Sequence, residues 1–147
     1  MDNYVANGTV YFVYHSFGEF IGPESAAAAE AAYCAGDQEK FWQMHDTLYM
    51  NQTGENVGAF SDRRITAFAE EIGLNMDEFN SCLDSAKYAD MVDQDGADAL
   101  EAGVEATPTF IMTYVVNGET KTKPIQGAQP YEVFQQEIEA ALAEMNQ

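Results

Sequence analysis

The sequence predicts an α/β domain in which strands flank a long helical block, and three observations carry that reading. A β-branched and aromatic run, Thr9-Val10-Tyr11-Phe12-Val13-Tyr14, stands near the start. Across residues 24–98 the apolar residues recur at helical spacing. From Thr109 onward they read as strands around an Asn117-Gly118 turn, before a last amphipathic segment.

The first run is apolar on both faces, as in a buried strand of a parallel sheet. Residues 17–23, with two glycines and a proline, read as a loop. Ser25 can cap an alanine-rich helix that stops at Gly36. Asp37 is placed to cap a second, with Phe41, Met44, His45, Leu48 and Tyr49 as its apolar stripe. Residues 51–60 form a polar loop. Ser61 caps a third helix, with Ile65, Phe68, Ala69 and Ile72 inward and Gly73 at its end. Asn75 opens a fourth carrying Met76, Phe79, Cys82 and Leu83. Ser85 opens a fifth with Tyr88, Met91, Val92, Asp95 and Ala99 at helical spacing, closing near Gly103. The hairpin strands are 109–116 and 120–126. Gly127 ends the second, and Pro130 starts a helix with Val133, Phe134, Ile138, Ala141 and Leu142 on one face.

Composition narrows the function classes. Hydrophobic residues make up 46% and aromatics 12% of 147 residues, enough for a packed core. Six Lys+Arg against 25 Asp+Glu give a formal net charge of −19. Nucleic acid and anionic lipid are disfavoured as partners, since both need cationic contacts. The acids spread along the chain as a solvated surface, a balance that also suits high salt. No apolar run approaches the ~20 residues of a membrane span, so no membrane insertion is expected. Met1-Asp2-Asn3 does not open a signal peptide, which needs a basic start and an apolar core.

The candidate chemistry is sparse. Cys34 and Cys82 stand 48 residues apart and form no Cys-x-x-Cys. Their spacing is compatible with a disulfide, with two buried thiols, or with one reactive cysteine. The last fares worst, because Cys34 lies at a helix end, where the dipole opposes a thiolate, with Asp37 close by. His15 and His45 match no zinc signature with the cysteines, so no metal and no other cofactor is expected. His45 sits on an apolar stripe, as a hydrogen-bonded core histidine would. Asp93, Asp95 and Asp98 read as a solvated helix face. Thr107-Pro108 precedes a strand, where a proline is tolerated because its missing donor falls at the entrance. A trans bond is the default there.

Several segments together resemble the DsbA-like disulfide oxidoreductases. Ser25-Ala26-Ala27 through Ala31-Ala32-Tyr33-Cys34-Ala35, then Gln38 to Leu48 (QEKFWQMHDTL), is similar to that family's helical insert. So is Gly73-Leu74-Asn75-Met76-Asp77-Glu78-Phe79-Asn80-Ser81-Cys82-Leu83. Gly103-Val104-Glu105-Ala106-Thr107-Pro108-Thr109-Phe110 and Gly127-Ala128-Gln129-Pro130-Tyr131 complete the pattern in order.

The resemblance implies a thioredoxin-like fold of the DsbA type with an all-helical insertion. Residues 1–22 and 104–147 would form an incomplete thioredoxin-like domain and 23–103 the insertion. Thr107-Pro108 matches the family's cis-proline loop, which helps hold substrate peptide. Cys34 and Cys82 match a structural pair carried by many relatives, so the resemblance favours a disulfide between them. Family members begin with a strand and a Cys-x-x-Cys at the start of a long helix; this sequence holds neither, as an N-terminally truncated member would. Without those thiols, exchange through a mixed disulfide has no nucleophile. The implied activity is therefore thiol-disulfide oxidoreduction by the parent protein, in an extracytoplasmic compartment, with this chain inactive by itself. The alternative is a non-catalytic peptide-binding or assembly module. Partners would be exported proteins or peptides. A second copy is also expected, docked through strand edges left open by the missing central strand, unless the strands at 8–14 and 109–116 pair directly.

Overall fold

The computed structural model describes residues 3–146, and their contacts divide between Glu101 and Ala102 into two compact units.

The first unit is helical. After the extended run come α1 (Gly18–Ile21), α2 (Pro23–Gly36), α3 (Phe41–Met50), α4 (Asp62–Glu71), α5 (Met76–Asp84) and α6 (Ala89–Glu101). Its core gathers Ala31, Ala35 and Cys34 of α2, Met44 and Leu48 of α3, Phe68 and Ala69 of α4, and Phe79 and Cys82 of α5. The alanines of α2 let neighbouring helices approach closely, so this helix contacts α1, α3, α4, α5 and α6 in turn. Gly18 serves the same end: a Cβ there would stand 2.7 Å from the Ser25 carbonyl oxygen, so α1 can lie on α2 only without one.

Helix starts show where side chains and backbone compete. Asn75 caps α5 as expected, accepting from the amides of Asp77 and Glu78. Its amide group also donates to the Glu78 carboxylate, 2.9 Å away. Three expected starts move. Pro23, with its φ already helical, begins α2 two residues before Ser25. Asp37 does not cap α3, which begins at Phe41; its carboxylate is held by Lys87 and Tyr88 instead. Ser85 closes α5 rather than opening α6, which begins at Ala89. Ser61 occupies the N-cap position of α4 but makes no side-chain cap bond. The loop expected over 17–23 contains α1.

The predicted strand at 9–14 is the main correction. Residues 10–17 form neither helix, turn nor ladder, and the sheet of the described residues holds two strands that lie elsewhere. A strand exists only through a hydrogen-bonded neighbour, and none is present. The run is also not buried on both faces. Phe12 and Tyr14 turn inward, whereas Tyr11 is 91% and Val13 53% exposed.

The second unit is a hairpin with one helix. β1 (Thr109–Val116) pairs antiparallel with β2 (Glu119–Gln126), in register from Thr109↔Gln126 to Val116↔Glu119. The two linking residues both take positive φ, 52° at Asn117 and 82° at Gly118, as a two-residue turn with the strands' twist requires. α7 (Tyr131–Met145) packs on β1, with the Phe134 ring meeting Phe110 edge-on at 4.8 Å. Lys121 and Lys123 of β2 reach Glu144 and Glu137 of α7. Among the described residues no helix is long and apolar enough to cross a membrane.

Candidate functional site

Each unit holds one of the sites read from the sequence, and the first adds another that was missed. In the helical unit, the Cys34 and Cys82 sulfurs lie 1.98 Å apart and are bonded, joining α2 to α5. Both residues are buried, Cys34 at 1% and Cys82 at 7% exposure. A cleft of about 560 Å³ lies over them, lined by Asp37, Gln38, Asp77, Glu78, Ser81, Ser85 and Lys87 as well as the two cysteines. The Lys87 ammonium sits 2.6 Å from Asp37, so the cation in the cleft's lining is already paired. That bond, with one from Tyr88, draws the Asp37 carboxyl below the ordinary aspartate range. No thiolate can form while the bridge stands, and the sequence has no third cysteine.

In the hairpin unit, the Thr107–Pro108 peptide bond is cis, contrary to the default expected from sequence alone. Both residues are exposed. The Pro108 carbonyl accepts from the Gly127 amide at 2.8 Å, which carries the hairpin's bonding one step beyond Thr109. The Thr109 hydroxyl donates to the Ala106 carbonyl at 2.7 Å and so closes the loop from the other side. The proline nitrogen thus falls outside the ladder, where its missing donor costs nothing. Thr107 stands at the surface of a loop fixed at both ends.

The site that sequence reasoning missed centres on Asp95 of α6. Expected on a solvated helix face, it is 5% exposed. Oδ2 accepts from the Ser16 amide at 2.9 Å and from the Tyr33 hydroxyl of α2, while His15 Nδ1 lies 2.7 Å from Oδ1. A buried carboxylate is tolerable only with such partners. Burial first, and then the bond to Asp95, push the Tyr33 hydroxyl well above the ordinary tyrosine range. A signal existed: Asp95 shares a helical stripe with Val92, which is 2% exposed. His15 presents the opposite face, with its side chain 59% exposed.

Beside this tie lies an aromatic cluster. Tyr14 meets Phe41 at 5.3 Å, His45 at 5.4 Å, and Tyr33 and Trp42 each at 6.4 Å between ring centroids, and Phe12 meets Trp42 at 5.9 Å. His45, expected as a core histidine, is half-buried among these rings, with Nδ1 3.0 Å from the neighbouring Asp46 carboxylate. Burial lifts the Tyr14 hydroxyl to about 12, with smaller contributions from Tyr49 and Asp95.

Comparison with known proteins bears on the fold that carries these sites. A family model described as Thioredoxin matches residues 1–140. The crystal structure of the thiol-disulfide exchange protein alpha-DsbA2 from Wolbachia pipientis superposes with a TM-score of 0.62 at 23% identity, over 81% of this chain and 59% of that one. Among curated proteins, a Na(+)/H(+) antiporter NhaA 1 of Salinispora arenicola is 37% identical over 94 residues, which are 63% of this chain and 13% of the antiporter. NhaA of Herminiimonas arsenicoxydans is 32% identical over 90 residues, 61% of this chain and 14% of that protein. The chain therefore spans about a seventh of the length of the curated relatives it matches. A matching model over nearly the whole sequence shows that the chain belongs to the thioredoxin family, and its fold is shared with the DsbA-type neighbour.

Proposed function

We propose that this chain is a peptide-holding relative of the DsbA-like thiol-disulfide oxidoreductases and has no exchange activity by itself. One observation supports this above others. Both cysteines of the sequence are bonded to each other and buried, so no thiol remains to attack a substrate disulfide. The exposed, anchored Thr107-Pro108 loop is the proposed contact for substrate peptide, drawn from exported proteins. The topological division into 1–22 plus 104–147 and a helical insertion at 23–103 belongs to the same reading. An extracytoplasmic location is consistent with the disulfide, since such bonds persist in oxidising compartments.

An insulin-reduction assay with dithiothreitol tests the inactivity. Turnover at the uncatalysed rate is expected, and sustained catalysis would overturn the proposal. Peptide binding that survives Pro108→Ala and Thr107→Glu unchanged would remove the role given to that loop.

A second reading has its own support. The matched segments in the antiporter relatives are about a seventh of each polypeptide, so relatives of this domain occur in much longer proteins that bear a transporter name. On that reading the chain is a non-catalytic binding or assembly module. Association with a partner at full strength after Cys34 and Cys82 are both replaced by alanine would favour it, provided the fold survives.

A further inference from the structure

The pattern Asn-x-Ser/Thr, with no proline between, occurs twice in the sequence, at Asn7-Gly8-Thr9 and at Asn51-Gln52-Thr53. In an exported protein this spacing marks an acceptor for an N-linked glycan, because the transferring enzyme reads the hydroxyl two residues beyond the asparagine. Asn7 sits in the turn before the extended run. Asn51 lies inside the helical unit, where α3 and α4 supply its neighbours. Three observations single out Asn51.

The first is the hold on the acceptor residue. Asn51 closes α3, and its side-chain amide donates one hydrogen to the Thr47 carbonyl at 2.8 Å. Arg64 of α4 donates to the Asn51 backbone carbonyl at 3.1 Å, so the residue is fixed from two sides. An amide nitrogen carries two hydrogens, and a sugar replaces one of them. The bond to Thr47 can therefore persist in the modified protein.

The second is the segment that follows. Gln52 and Thr53 leave the helix without entering another element, and both are exposed. No hydrogen bond among the described residues holds the Thr53 hydroxyl, which leaves it open to be read.

The third is the apolar surface beside the site. Met50, directly before Asn51, is 83% exposed, and Val57 in the loop that follows is 66% exposed. Neighbouring exposed apolar side chains favour association. Sugars on Asn51 would shield this rim without adding charge.

We propose that Asn51 is the acceptor of an N-linked oligosaccharide, attached by an oligosaccharyltransferase from a polyprenyl-phosphate-linked donor. Asn51 Nδ2 attacks C1 of the donor's first sugar, and the bond from C1 to the phosphate oxygen breaks as the Nδ2–C1 bond forms. The polyprenyl phosphate departs with the bonding electron pair, and one proton passes from Nδ2 to a base on the transferase. This inference rests on the extracytoplasmic location proposed above, where such acceptors meet their donors. It is independent of the Thr107-Pro108 loop.

The test incubates the folded full chain with a single-subunit oligosaccharyltransferase and its lipid-linked oligosaccharide, and measures the mass of the product. An increment of one glycan is expected on the peptide that contains Asn51. Thr53→Ala leaves Asn51 and its bond to Thr47 in place and should lose that increment, whereas Thr53→Ser should keep it. Circular dichroism should be the same for all three proteins. A bare Asn51 in the folded parent, or equal modification of Thr53→Ala, would overturn the proposal. So would a glycan on Asn7 with Asn51 untouched. Protein recovered from outside the cytoplasm of its source cells with Asn51 bare would also overturn it, while the location reading stood. Protein recovered from the cytoplasm would instead remove the location reading, and the modification with it.

Discussion

The hydroxyl of Tyr33 donates to the carboxylate of Asp95, 62 residues further along the chain. Together with the Ser16 amide and His15, this bond ties the extended run to α2 and α6 at a single buried charge. Asp95→Ala should therefore cost about 3 kcal/mol, because it leaves the buried Ser16 amide and the Tyr33 hydroxyl without an acceptor. Asp95→Asn keeps one acceptor oxygen and should cost about half as much. Urea unfolding of the three proteins measures both. An alanine variant as stable as the parent would mean that water replaces the carboxylate at no penalty.

How legible this arrangement was depends on what each signal encodes. The hairpin could be read to within a residue because Asn117-Gly118 demands its own backbone geometry whatever surrounds it. Asn75 as a cap was equally local. Ser25, Asp37 and Ser85 looked the same in sequence, yet Pro23, Lys87 with Tyr88, and the end of α5 claimed those positions. Capping propensity loses where a tertiary partner or a preset φ competes. The run at 9–14 has strand composition, but composition does not supply a neighbour, and the ladder is absent. Asp95 was the costliest miss. Its acidity pointed to solvent, while only the three-dimensional meeting of α6, α2 and Ser16 makes it a buried acceptor. The cysteine pair and the Thr107-Pro108 loop were visible through family resemblance, not through spacing.

The disulfide closes a loop with a sequence separation of 48 between α2 and α5. In the chain-entropy description, such a cross-link stabilises by about 4 kcal/mol through the unfolded state. The double variant Cys34→Ala, Cys82→Ala should lower the unfolding midpoint accordingly. Single variants should fall at least as far, since each leaves a buried unpaired thiol. Denaturant titration with and without reductant provides the check, and identical midpoints would show that the bridge adds nothing to the packed core.

Tyr14 makes the fold sensitive to alkali. Its hydroxyl is raised from 10.0 to about 12, mainly by burial, so the folded chain keeps this proton after the unfolded chain has lost it. The associated stability is fully present below pH 10 and disappears as pH rises through about 12, amounting to about 3 kcal/mol. Tyr33 acts in the same direction. Tyr14→Phe has nothing to ionise there, so its stability should fall less steeply between pH 10 and 12 than the parent's. Parallel slopes for the two proteins would show that Tyr14 stays solvated.

The charge excess sets a dependence on salt opposite to that of a protein held by surface ion pairs. With 25 acids against six lysines and arginines, most carboxylates have no cation to answer them, and self-repulsion opposes the compact state. Among the described residues three lysines form ion pairs, with Asp37, Glu144 and Glu137, and these exposed contacts are worth little in water. Added sodium chloride weakens both contributions, but repulsion among many acids outweighs three paired cations. The screening length falls from about 10 Å at 0.1 M to about 3 Å at 1 M, so the melting temperature should rise across that interval. Lysine substitutions at exposed acids such as Glu101 and Glu119 should raise it at low salt and flatten its rise. A melting temperature that falls with salt would mean that the few ion pairs, and not the many unpaired acids, govern the electrostatics of this fold.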